Sequence, residues 1–421
     1  MDEAFGAAVR ARFDIVSFDP RGVGGSVPAL TCEPAEAEAE AEETSEDFSD
    51  AVAPLYPRTE AARSAAASGA RTAAEDCEEH SGPILRHVGT EDAARDLDVL
   101  RAALGERELT YLGWSYGTSL GTSYAEQFPR RVRAMVLDGA IDPSLDWRQR
   151  VISQSAGFRR SVDDYAEQCA EIAGDSCPGA NPQEIRALIE RLYQRAEREP
   201  LPVAEDSTYA EYGGMDATAV LDAVSMAMYT PEDQWEPLSE ALREADQGDA
   251  TKLGALDDEL ETEDPGTAEE EQEEQEEDEI PEPPADNGDA ALTAVNCLDV
   301  PHPRSLRPYW AALAPADQAA GVYGTAGVTA DLTCRDWPSG GRRPHRVDAD
   351  GVAPVLVVGT TGDPATPYEE SVSLAEQFPE GMLLTYEGLG HTAYGRGDTC
   401  VTAQVDAYLV KRERVRPGAT C

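Results

Sequence analysis

The sequence predicts an α/β fold, a mainly parallel sheet with a large helical insertion, and three observations support this. Short apolar runs of strand length are each followed by a helical pattern, the order that builds a parallel sheet. A serine sits in Gly113-Trp114-Ser115-Tyr116-Gly117, between the strand-like run Leu109-Thr110-Tyr111-Leu112 and a helix-like run over 118–128. From about 146 to 332 the pattern is helical throughout, and strand-like runs resume only at Val355.

Taken in order, residues 12–18 read as a core strand, and 90–104 as a helix capped by Thr90 with Ala94, Leu97, Leu100 and Leu104 on one face. The serine turn and its helix come next, then a strand over 132–137. Within the insertion, Ile185-Arg186-Ala187-Leu188-Ile189-Glu190-Arg191-Leu192-Tyr193 has the apolar spacing of an amphipathic helix. Val355-Leu356-Val357-Val358-Gly359 and 382–386 are buried strands, and a last helix falls near 401–410. The expected division is a first core part over 1–145, a helical cap over 146–332 and a second core part over 333–421.

A G-x-S-x-G pattern on a strand-to-helix turn lifts the serine hydroxyl clear of the sheet, and the flanking glycines give it room. Ser115 is therefore the candidate nucleophile. A serine hydroxyl needs a base, and the base needs an orienting group. Of five histidines, His80 is expected in a polar loop, His87 lies before a helix start, and His302 and His345 stand beside prolines. His391 follows Glu387-Gly388-Leu389-Gly390 directly after a strand, which makes it the candidate base. Asp363 lies just past the Val355 strand and is the candidate orienting acid. The chain order Ser115, Asp363, His391 is that of α/β-hydrolases and differs from the orders of the chymotrypsin and subtilisin types. Tyr116, next after the serine, supplies one backbone N–H for an oxyanion.

The chain has 421 residues, 41% of them hydrophobic, and a formal charge of −48. That surplus excludes nucleic acid as a natural partner and disfavours anionic membranes. Much of it is local: 257–289 holds 18 acidic residues and no basic one, and 33–50 holds another 9. The run Glu269-Glu270-Glu271-Gln272-Glu273-Glu274 and its continuation have nothing apolar to bury, so 257–289 is expected to be a disordered acidic insertion within the cap. Eight cysteines form no C-x-x-C pair and have no histidine at zinc-ligand spacing. Disulfides in an oxidising compartment fit better than a metal, with 105 pairings open.

Three segments carry a family resemblance. Phe13-Asp14-Ile15-Val16-Ser17-Phe18-Asp19-Pro20-Arg21-Gly22-Val23-Gly24-Gly25-Ser26, Val136-Leu137-Asp138-Gly139-Ala140-Ile141-Asp142-Pro143 and Gly390-His391-Thr392-Ala393-Tyr394-Gly395 resemble the secreted bacterial tripeptidyl aminopeptidases, serine exopeptidases related to prolyl iminopeptidases. The likeness covers 10–150 and 290–421 well. It implies release of short peptides, expected to be tripeptides, from free N-termini of peptides or proteins, outside the cell and without metal or cofactor. It also implies, together with proximity, the pairs Cys32–Cys77, Cys169–Cys177, Cys297–Cys334 and Cys400–Cys421. An exopeptidase must hold a substrate ammonium, so one or two cap carboxylates are expected to face Ser115. Esterases share the fold and triad, and an esterase is the nearer alternative.

In the family a glycine-rich loop precedes the helix that leads into Phe13, and it supplies the second oxyanion donor. Here Met1-Asp2-Glu3-Ala4-Phe5-Gly6-Ala7-Ala8-Val9-Arg10 stands at that place. The sequence thus predicts missing N-terminal strands, unpaired strand edges in the sheet, no signal peptide and weak activity, with an inactive hydrolase-like remnant as the further alternative.

Overall fold

The computed structural model describes residues 4–32, 54–262, 287–338 and 342–421. Five strands form one parallel sheet in sequence order: β1 (Leu109–Trp114), β2 (Val132–Asp138), β3 (Val355–Gly362), β4 (Met382–Leu389) and β5 (Ala419–Thr420). Among the described residues, four helices are placed before or between the first strands: α1 (Ala7–Arg10), α2 (Glu60–Ser81), α3 (Thr90–Ala103) and α4 (Tyr116–Gln127). Between β2 and β3 come α5 (Trp147–Ile172), α6 (Pro182–Ala196), α7 (Ala217–Met226), α8 (Pro231–Gln247), α9 (Thr251–Thr262), α10 (Gly288–Asp299), α11 (Leu306–Ala320) and α12 (Val322–Ala330). Helix α13 (Tyr368–Gln377) follows β3, and α14 (Thr399–Lys411) follows β4.

The apolar runs become central strands because both of their faces are covered. Met135, Leu137, Val355 and Val357 point to one face, where they pack with Leu120 and Tyr124 of α4 and Leu374 of α13. Ala134, Val136, Leu356 and Val358 point to the other, against Val401, Val405 and Tyr408 of α14. The insertion holds a separate core: Ile185, Leu188, Ile189 and Leu192 of α6 pack with residues of α5, α7 and α8. Asp146 begins it with a capping box, its carboxylate accepting Gln149 N–H while the Gln149 side chain accepts Asp146 N–H.

Several expectations need correction. Residues 12–18 form no strand; they carry no regular secondary structure, with Val16 54% exposed, while Phe13 and Phe18 each touch an apolar cluster. A strand requires a hydrogen-bonded neighbour, and no described strand pairs with this segment. Strand β1 is accordingly an edge of the described sheet. Thr90 is the first residue of α3, not its cap: Gly89 takes the cap position, and the Thr90 hydroxyl donates to Asp299 instead. Leu104 ends outside the apolar face at 54% exposure. His80 lies in the last turn of α2 rather than in a loop. The expected disorder over 257–289 fails at both ends, where α9 runs to Thr262 with Asp257 buried and α10 starts at Gly288. Residues 263–286 and the acidic stretch 33–50 lie outside the described residues.

All eight cysteines are paired as the resemblance implied: Cys32–Cys77, Cys169–Cys177, Cys297–Cys334 and Cys400–Cys421. Such bonds form and persist in oxidising surroundings. Strand β5 was not predicted; it is two residues long and lies next to Cys421, whose bond to Cys400 ties it to the start of α14. No helix among the described residues is long and apolar enough to cross a membrane.

Candidate active site

The carboxyl ends of β1, β2, β3 and β4 lie side by side, with Trp114 paired to Asp138 and Gly362 to Leu389. The chain leaves each end in a tight turn, and the polar groups of the site come from these turns.

Past β1, Ser115 takes φ 51° and ψ −121°, a left-handed conformation for a residue with a side chain. Such a backbone persists only when its surroundings enforce it. Here Ser115 N–H donates to Asp138 O at 2.9 Å, and Ser115 O accepts both Thr118 N–H at 2.8 Å and Thr118 Oγ1–H at 2.6 Å. Gly113 is required by the turn, since a Cβ there would sit 2.4 Å from Gly117 O. Tyr116 opens α4, so its N–H makes no intrahelical bond. Its phenol donates to Thr90 Oγ1 at 2.7 Å, because that hydroxyl gives its own hydrogen to Asp299.

Past β3, Asp363 is 2% exposed, and its Oδ1 accepts the N–H groups of Ala365 at 3.0 Å and Thr366 at 2.8 Å. Past β4, Gly390 turns the chain at φ 89°, and His391 Nδ1 lies 2.9 Å and 3.0 Å from the two Asp363 oxygens. A carboxylate only accepts there, so Nδ1 carries the hydrogen and Nε2 is the free acceptor. Nε2 is buried and makes no hydrogen bond, to Ser115 Oγ or to any other described group. The structure thus brings Asp363 and His391 into contact and leaves the serine hydroxyl unlinked. Hydrogen bonds of this kind often tighten only when substrate is bound.

Two residues that sequence reasoning passed over shape this site. Asp138 is fully buried at the end of β2, and its side chain accepts Ala393 N–H at 3.2 and 3.1 Å and Tyr394 N–H at 2.7 Å. Its backbone thereby holds the serine turn while its carboxylate holds the loop that follows His391. Burial pushes its carboxyl up to about 7, with the backbone N–H groups opposing and the neighbouring Asp363 adding to the rise. The available signal was its place: like Asp363, it comes directly at a strand end. The other residue is Tyr229 in the insertion. Its carbonyl accepts His391 N–H at 2.8 Å, and its ring stands edge-on to the imidazole at 5.0 Å. A further tie lies beside it, where Arg396 donates to both Glu232 oxygens, at 2.7 and 2.6 Å, and to Leu389 O at 2.8 Å.

Gly139 leaves the space the imidazole occupies: at φ 69°, a Cβ would meet Thr366 Oγ1 at 2.9 Å and His391 Cε1 at 3.3 Å. The remaining histidines are held elsewhere. His302 contacts Asp331 and His345 contacts Glu126.

A parallel sheet with an acid and an imidazole paired past successive strand ends, and a strained serine turn past another, has the parts of a serine hydrolase. The chain belongs to the alpha/beta hydrolase fold family, which matches residues 3–398. It is 35% identical to serine protease Hip1 of Mycobacterium tuberculosis over 98% of this chain and 75% of that protein. Tripeptidyl aminopeptidase of Streptomyces lividans is 32% identical over 97% of this chain and 70% of its own length. Carboxylesterase B of Mycobacterium tuberculosis is 36% identical over 94% and 71%. The protein is an enzyme of this hydrolase class.

Proposed function

We propose that the protein is a secreted serine exopeptidase that releases short peptides, tripeptides foremost, from free N-termini through an acyl-enzyme on Ser115. The observation that carries this reading is the bond from His391 Nδ1 to Asp363 at 2.9 Å, which leaves Nε2 as a free acceptor, together with the strained backbone of Ser115. The relatives named serine protease and tripeptidyl aminopeptidase support a peptide as the substrate, and four disulfides support an extracellular setting.

In this reading His391 Nε2 takes the hydroxyl proton as Ser115 Oγ attacks the scissile carbonyl, then gives it to the departing amine. Asp363 holds the imidazole in the Nδ1–H tautomer and stabilises the imidazolium. The Tyr116 N–H donates to the oxyanion. Water then attacks the ester by the same route, freeing the peptide and Ser115. The helical insertion acts as the cap, and one or two of its carboxylates receive the substrate ammonium. An esterase is the second reading, favoured by the 36% identity to carboxylesterase B.

A serine-directed phosphonate should label Ser115 in the wild type and fail with Ser115→Ala. Free tripeptide amides, their N-acetylated forms and short acyl esters then separate the readings. Preference for the free peptides supports the exopeptidase, equal cleavage of free and acetylated peptides refutes it, and cleavage of esters alone establishes the esterase.

A further inference from the structure

A cleft of about 360 Å³ opens beside α4, one to two helical turns past Ser115, and none of the groups assigned to the reaction lines it. Helix α4 contributes Ser119 and Thr122, the segment after β2 contributes Ile141 and Leu145, and the insertion contributes Arg150 and Asp299. The Thr122 hydroxyl is the first anomaly. Its residue is 4% exposed, yet Oγ1 makes no hydrogen bond. A buried hydroxyl without a partner is costly, and such groups are rare in folded chains.

The second anomaly is a pair of opposite charges that line one cavity without meeting. Arg150 donates through Nη2 to Asn296 Oδ1 at 3.0 Å and forms no ion pair among the described residues. Asp299 accepts from Thr90 N–H at 2.8 Å and from the Thr90 hydroxyl, and it too has no ion pair among the described residues. Burial raises its carboxyl above the usual range, against the pull of the Thr90 donors and of Arg150. The other charges nearby are already matched: Arg342 with Glu126, Arg95 with Asp92 and Glu91, and Asp142 by Ser144 N–H, Ser373 and Gln377.

We infer that this cleft binds a zwitterionic amino acid or short peptide with an apolar side chain, its carboxylate on Arg150, its ammonium on Asp299 and its apolar part against Ile141 and Leu145. A guanidinium binds a carboxylate through two parallel hydrogen bonds, which gives the anion end its orientation. A zwitterion answers both charges at once, whereas an anion alone would face Asp299 and a cation alone would face Arg150. Thr122 Oγ1 gains a partner from either end group of the ligand. The site stands on geometry separate from that of Ser115 and does not depend on the reaction proposed there. It adjoins that turn through one hydrogen-bonded chain, from the Tyr116 phenol to the Thr90 hydroxyl to the Asp299 carboxylate.

The probe is L-leucine, titrated into the full chain by calorimetry up to about 10 mM, a range that reveals millimolar affinity. One molecule per chain should bind, and N-acetyl-L-leucine and L-leucinamide, each lacking one charge, should bind at least about tenfold more weakly. Arg150→Gln and Asp299→Asn should each cost a similar factor. Ser119→Leu, which fills the cleft, should abolish binding in a protein whose circular dichroism is unchanged. The inference is overturned if L-leucine does not saturate the wild type, if either blocked analogue binds as well as L-leucine, or if folded Arg150→Gln and Asp299→Asn both retain wild-type affinity.

Discussion

Replacing Asp138 by Asn should make the protein relatively more stable as pH rises, although it alters a carboxyl at the centre of the site. Asp138 is fully buried and its carboxyl is pushed up to about 7, from the 3.8 of an exposed aspartate. Between those two values the folded chain holds a proton that the unfolded chain has released. Stability tied to this group is therefore complete below about pH 4, falls as pH rises through the folded value, and stays constant above it. About 3 pH units at 1.36 kcal/mol each set a ceiling of about 4 kcal/mol. The ceiling is an upper bound, because the neighbouring charges of Asp363 and His391 also act on this carboxyl. Asn has the shape and acceptor oxygen of the protonated acid and does not ionise. The difference in unfolding free energy between Asp138→Asn and wild type should then be near zero at pH 4 and rise by up to about 4 kcal/mol by pH 8. Urea melts of both proteins at half-unit pH steps measure it. A difference that stays flat, or falls, from pH 4 to 8 refutes the argument that burial governs this carboxyl.

Two other changes test the frame of the site. Gly139→Ala places a Cβ 3.3 Å from His391 Cε1 at a φ of 69°, so kcat/KM should drop at least about tenfold with a stability loss of about 1–3 kcal/mol, measured by peptide hydrolysis and thermal melting. The double change Cys400→Ser with Cys421→Ser opens a link of sequence separation 21; it should lower stability by about 3 kcal/mol in denaturant melts, and an unchanged midpoint would show that the bond constrains nothing.

The central strands were legible because Val132–Asp138 and Val355–Gly362 are buried on both faces and so read as continuous apolar runs. Residues 12–18 also read as a core strand but have no hydrogen-bonded strand neighbour in the described structure. Periodicity reports which faces a segment can bury, not whether a partner strand exists. Strand β5 is too short to show any period. In the site, Ser115, Asp363 and His391 could be read because each follows a strand directly. Tyr229 could not: its contacts with His391 run through a backbone carbonyl and a ring edge across 162 positions, and no local pattern records such a meeting. Asp138 was read only as part of a resembling segment, since nothing local shows that its carboxylate meets the loop after His391.

The link between Tyr229 and His391 bears on how this enzyme can be redesigned. Helical insertions are natural targets for exchange when a new substrate range is sought, since the sheet packs a core of its own. Here the imidazole's own main-chain N–H hangs on a carbonyl of the insertion, and Glu232 grips Arg396 a few residues further along the same loop. A chimera that keeps the sheet and substitutes another insertion would inherit the serine turn intact and lose the support of the histidine. Grafts should therefore carry residues 229–232 with the parent sheet and vary the helices on either side of them.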